Sequence, residues 1–219
     1  MTGFGIIMNK EWRFFIGSDR GVFILHLFLI LSWSLMLVTP HEATFTNGSF
    51  WLVFFSVIVS ANFANTVFIA ERINGTMEIL ITSGISRKAI LFGKTFFVLL
   101  TSSCIGFLCI GLATVWKHTI YTDSTFTLSA NEIMTYLCAV FFNTSCGAYL
   151  SLRMNNPRLM NLVTILILAF VLSVYTALGS YFTLPDFLLP LILCCTGVMW
   201  TTLSLKLYES EKILQPVSL

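Results

Sequence analysis

Charge is scarce in this chain. Only 10% of its 219 residues are Asp, Glu, Lys or Arg, where a soluble globular domain carries about 25%. No polar stretch is longer than a loop, which excludes a separate soluble domain. The usual catalytic signatures are missing as well. There is no G-x-x-x-x-G-K-S/T loop to cradle nucleotide phosphates, no G-x-S-x-G turn and no H-E-x-x-H helix. The three histidines, His26, His41 and His118, lack any ligand spacing, so His26 reads as a hydrogen-bonded packing residue rather than a metal or haem ligand. No C-x-x-C pair occurs among Cys104, Cys109, Cys138, Cys146, Cys194 and Cys195. All six lie in apolar segments and read as buried small hydrophobes, not disulfides or metal ligands.

What is present is apolar. Hydrophobic residues make up 57% of the chain, 21 of them Phe, in runs long enough to cross a hydrocarbon core of about 30 Å, which takes about 20 helical residues. The pattern predicts an all-α integral membrane protein with a single transmembrane domain over 1–219. Residues 3–20 are expected to form an amphipathic interfacial helix. Phe4, Ile7, Met8, Trp12 and Phe15 share one broad face, marred only by Glu11. No small-x-small cleavage site follows the first apolar run convincingly, so that span is expected to be retained. Six spans are predicted at 22–38, 50–70, 89–116, 133–152, 159–178 and 187–207. Gly179, Pro185 and Pro190 suggest a bent or re-entrant end to the fifth. No acidic or basic residue is placed mid-span, which argues against a proton- or ion-coupled carrier.

Basic residues set the orientation. With both termini inside, the cytoplasmic side receives Lys10, Arg13, Arg20, Arg72, Arg87, Lys88, Lys94, Arg153, Arg158, Lys206 and Lys212, leaving only Lys117 outside. That is the positive-inside bias. Trp51, Trp116 and Tyr181 then fall near outer boundaries, and Trp12 and Tyr208 near inner ones, as interfacial aromatics.

One segment interrupts the apolar pattern: ERINGTMEILITSGISRK, from Glu71 to Lys88. Asn74 is placed to cap a short helix with Glu78 in its first turn. Gly84 suits a left-handed stop, and Ser86 caps the helix leading into the third span. Met77, Leu80 and Ile81 make a small apolar knob. The residues alone fit an interfacial turn as well as they fit a docking helix.

Extended to Lys94, the run resembles the cytoplasmic segment of ABC-2 type transporter permeases. Those segments have a Gly-Thr-x-Glu core, a Leu-rich turn, a Ser or Pro bend and a Gly-Lys on the next helix. Glu71, Gly75, Thr76, Glu78, Leu80, Ser83, Ser86, Gly93 and Lys94 carry the likeness, and NKEWRFFI is similar to the Lys-Glu start of these proteins. The short length also resembles the membrane subunit of the cytochrome c maturation haem exporter. The resemblance implies a type V exporter-like ABC-2 architecture. In it, Glu71, Arg72, Gly75, Thr76, Glu78, Leu80, Ser83, Arg87 and Lys88 form a coupling element against an ATPase subunit. That ATPase, in two copies, would hold ATP and Mg, and a second permease chain would complete a homodimer or heterodimer in a cell membrane, the bacterial cytoplasmic membrane. This chain itself is expected to bind no cofactor, metal or nucleic acid and to catalyse no reaction.

Two further sets are noted. Arg153 and Arg158, in RMNNPR, offer a lesser cytoplasmic contact or simply a tight basic turn. Asn62, Asn65 and Thr66 in the second span, and Asn143, Gly147 and Ser151 in the fourth, suit helix packing or a substrate pathway. A non-transporting mechanotransmission subunit, a secondary transporter and a lipid-embedded scaffold are the rival readings.

Overall fold

The computed structural model describes residues 3–17, 20–38, 48–69, 71, 79–80, 82–120, 129–154 and 156–209. Regular structure among them is all helical. The elements are α1 (Gly3–Ile16), α2 (Arg20–Val38), α3 (Gly48–Ala64), α4 (Arg87–Ile120), α5 (Ala130–Arg153), α6 (Pro157–Tyr181) and α7 (Leu188–Glu209). α3 runs on as a π-helical turn, Asn65–Ile69. Five stretches are long and apolar enough to cross a membrane: Leu52–Ile69, Arg87–Ile120, Ala130–Arg153, Pro157–Tyr181 and Leu188–Tyr208. In α2 the shorter apolar stretch His26–Val38 stands out.

The helix ends follow from local chemistry. Ser129 and Glu132 close a reciprocal capping box on α5. Asn156 accepts from the Arg158 amide at 2.9 Å, with Pro157 behind it, to start α6. Before α4, Gly84 adopts φ 78°, and the Ser86 hydroxyl accepts from the Ala89 amide at 3.3 Å. α6 passes through Gly179 without a break, Pro185 lies in the connection that follows, and Pro190 sits in the first turn of α7. A proline there forfeits no intrahelical bond, so the expected bent or re-entrant piece is absent.

Side-chain contacts fix the helix directions. Trp33 stacks on Phe55 and His26 lies against Phe63, each at 4.9 Å, so α2 and α3 are antiparallel. Asn143 bonds to Ser56 while Gly147 faces Ala64, which makes α3 and α5 parallel. Asn131 reaches the Asp186 carbonyl and Thr201 reaches Ser145, each at 2.9 Å, so α5 and α7 are parallel too. Tyr136 donates to the Ser102 carbonyl at 2.8 Å, and Lys94 near the start of α4 reaches Val67 at the end of α3, so α4 runs opposite to α3 and α5. One end of the bundle therefore gathers the finish of α3, α5 and α7 with the start of α4 and α6. We call it the basic end, because Arg87, Lys88, Lys94, Arg153, Arg158 and Lys206 lie there.

α5 is the central helix, and its buried face includes Asn143, Thr144, Ser145 and Cys146. α6 lies at the periphery. It buries only Met160, Thr164 and Leu168 and exposes Leu162, Ile165, Leu166, Phe170 and Val174, the surface of a helix that faces hydrocarbon. Two expectations change. Cys104 and Cys195 lie on the exterior rather than in the core. Tyr208 is buried in the main hydrophobic cluster and is no interfacial aromatic.

Candidate functional site

α4 carries a lysine into the basic end with no exposed surface at all: Lys94 is 0% accessible. The residue before it explains how the helices close around it. A Cβ at Gly93 would lie 2.9 Å from Ile7, so only glycine lets α1 come this close. α1 then runs alongside α4, with Gly3 under Ile85, Phe4 by Phe96 at 5.7 Å and Phe15 by Phe97 at 6.4 Å.

The Lys94 ammonium donates to the Val67 carbonyl at 2.9 Å and to the Glu71 carboxylate, and lies 5.8 Å from the Phe68 ring centroid. Val67 belongs to the π-helical turn. Carbonyls at a helix C-terminus carry partial negative charge and attract cations, and π turns recur at functional positions. The other oxygen of Glu71 pairs with Lys10 on α1. Lys10 in turn lies 3.5 Å from Glu11, which is buried. Two anions and two cations thus alternate, Glu11–Lys10–Glu71–Lys94, with zero net charge.

No protein-family model, curated protein or solved structure matches this chain. The functional reading therefore rests on geometry. Desolvating one ion costs several kcal/mol, and attraction offsets this only when opposite charges and hydrogen bonds surround it. Here the chain meets that condition by drawing on α1, the end of α3 and α4 together. Loss of any one member unbalances the rest, so the cluster acts as a clasp across three elements.

The clasp buries charge at the end of the bundle rather than mid-span, at Glu71 just past the second predicted span and at Lys94 near the start of the third. Lys94 and Glu71 both stand in the segment that carries the family resemblance, but they are 23 residues apart. Glu11 is the blemish on the apolar face of α1, turned inward for a reason. A charge on an otherwise apolar helix face, and a lysine directly after a glycine, were the available signals.

Of the predicted coupling residues, Glu71 lies in the clasp. Arg72, Gly75, Thr76 and Glu78, with Asn74 and Met77, fall outside the described residues, as does Ile81. Leu80 packs against the main hydrophobic cluster, while Ile79 beside it is 67% exposed. Ser83 is exposed, and its hydroxyl donates to the Leu80 carbonyl at 2.6 Å. Arg87 donates from Nη1 to the Tyr208 carbonyl at 3.3 Å, tying α7 to the start of α4. Lys88 is exposed.

The remaining candidates are dispersed. Arg153 and Arg158 are exposed; Arg153 lies 5.9 Å from its helix neighbour Tyr149, and neither arginine joins the clasp. The side chains of Asn62 and Asn65 lie outside the described residues, and Thr66 is exposed. Asn143 donates to the Ser56 hydroxyl at 3.0 Å. A Cβ on Gly147 would sit 3.1 Å from that of Ala64. Buried Ser151 donates to the Ala148 carbonyl at 2.7 Å. Asn143 and Gly147 thus face α3 as a close-packing seam.

Proposed function

We propose that this chain is the membrane-spanning permease subunit of an ATP-driven exporter of the ABC-2 kind, moving an apolar or amphipathic substrate. ATP and Mg are bound by two copies of a separate ATPase subunit, and a second permease chain, identical or different, stands beside this one. The basic end faces the cytoplasm by the positive-inside bias, with six crossings and both termini inside.

The observation that carries this reading is how segment 71–88 is held. Glu71 enters the clasp with α1 and α4, and Arg87 holds the end of α7. Between them, Leu80 and Ile85 pack on the hydrophobic cluster. A push reaching Glu71 and the start of α4 bears on α1, α3, α4 and α7 through these contacts, as coupling to an external motor requires. A turn that merely connected two spans would need none of these anchors.

The test starts with a tagged chain purified from its native membrane. It is expected to carry an ATP-hydrolysing partner polypeptide. Gly75→Trp and Glu78→Arg are expected to weaken that association, or to uncouple hydrolysis from transport, while membrane insertion stays intact. Unchanged assembly and transport in both variants would remove the coupling role. Buried Lys94 is the one observation that favours a secondary transporter. Its charge, however, is neutralised at one end of the bundle, not at the midplane where coupling-ion sites lie. Transport that runs without ATP in sealed vesicles would favour that alternative.

A further inference from the structure

The outward face of α1 has a composition that the clasp does not use up. Lys10 and Arg13 lie three residues apart, hence side by side on the helix. The Lys10 side chain is 40% exposed and Arg13 is exposed. Lys10 commits two of its three ammonium donors, to Glu11 and Glu71. The Arg13 guanidinium has no partner among the described residues, which leaves its planar fork of donors open. The acidic residue described on this helix, Glu11, is turned away into the clasp. Around the two cations stand exposed Ile6, Trp12, Phe14 and Ile16.

An anion fits the centre of this face and hydrocarbon fits its flanks. We infer that it binds the headgroup of an acidic phospholipid. Arg13 takes phosphate oxygens through two N–H groups, and the third Lys10 donor takes another. The acyl chains lie against Trp12, Phe14 and Ile16, the arrangement of an interfacial helix in an anionic leaflet. Free phosphate would leave those three apolar side chains uncovered. Lys10 belongs to both sites, so a bound headgroup holds it in place beside Glu71 and tightens α1 on α4. This surface stands independently of the export reading, because no ATPase takes part.

The test uses the full chain in phosphatidylcholine vesicles holding trace photoactivatable phosphatidylglycerol or phosphatidylcholine. Cross-linking to the peptide containing α1 is read by mass spectrometry. Phosphatidylglycerol is expected to label α1 several-fold more than phosphatidylcholine. Arg13→Gln, which removes no guanidinium hydrogen bond or ion pair among the described residues, is expected to cut that ratio about fivefold, the weight of one cation near an anionic surface. Arg158→Gln, at the same end but away from α1, should leave the ratio unchanged. Equal labelling by the two lipids in wild type, or an unchanged ratio in Arg13→Gln, overturns the site. So does an equal fall in Arg158→Gln, or loss of lipid labelling on adding millimolar inorganic phosphate.

Discussion

Lys94 owes its place to two acceptors, the Glu71 carboxylate and the Val67 carbonyl. Replacing Glu71 by Gln removes the carboxylate bonded to the Lys94 ammonium and leaves Glu11 as the one anion against two cations. This is expected to cost about 3–5 kcal/mol of stability, read by denaturant titration in detergent micelles. Lys94→Met leaves Glu71 with Lys10 and should fall at the lower end of that range. The double substitution Glu71→Met/Lys94→Met removes both charges of the pair and leaves Lys10 with Glu11. It should recover most of the loss, because apolar pairs often replace buried ion pairs at little cost. Additive losses would show that the two residues do not act as a pair. Asn143 presents a milder case. Its bond to Ser56 crosses between two apolar helices, where such bonds contribute about 0.6 kcal/mol and at most about 1.7. Asn143→Ala is therefore expected to cost about 1 kcal/mol in the same titration, and a loss near that of Glu71→Gln would assign Asn143 a larger role.

Two elements position the clasp, the π-helical turn and α1. Deleting one residue from Asn65–Ile69 rotates everything after it by about 100°, which swings Glu71 away from Lys94. The expected result is the same stability loss as in Glu71→Gln; a silent deletion would mean the turn has no positioning role. α1 depends on the absence of a side chain at position 93. Gly93→Leu should lift α1 off α4, so that a cysteine replacing Ile7, unreactive toward a water-soluble maleimide in a cysteine-free background, becomes reactive. Continued protection would show that α1 docks without this close approach. The helices themselves were legible from local signals. Gly84 and Ser86 mark the start of α4 in the sequence. The caps Ser129 with Glu132 and Asn156 with Pro157 start α5 and α6 a few residues before the predicted 133 and 159, because hydropathy does not register polar cap residues. The clasp was not legible, because Lys10, Glu71 and Lys94 meet only after three helices pack. Nor was the length of α4 beyond the predicted 89–116. Its 34 residues span about 51 Å, and the excess over the hydrocarbon thickness lies partly beside α1, an extension that hydropathy alone does not mark.

At the scale of the whole molecule, the arrangement is asymmetric along the bundle axis. One end holds the clasp, the Arg87–Tyr208 tie and the exposed basic residues; toward the other, α5 and α7 are joined through Asn131 and Asp186. α6 stands almost free on the flank, presenting apolar side chains to its surroundings. In the proposed exporter, a push at the basic end would pass through α1, α3, α4 and α7, the elements tied together there. The decisive measurement is photolabelling with an azido analogue of ATP on the tagged chain purified from its native membrane, for wild type and Gly75→Trp. The expected result is a labelled polypeptide of different mass that accompanies the wild type, is depleted in Gly75→Trp, and leaves this chain unlabelled in both. Label on this chain itself, or a nucleotide-binding partner retained equally by both, would contradict the assignment of segment 71–88 as the point where an external ATPase acts.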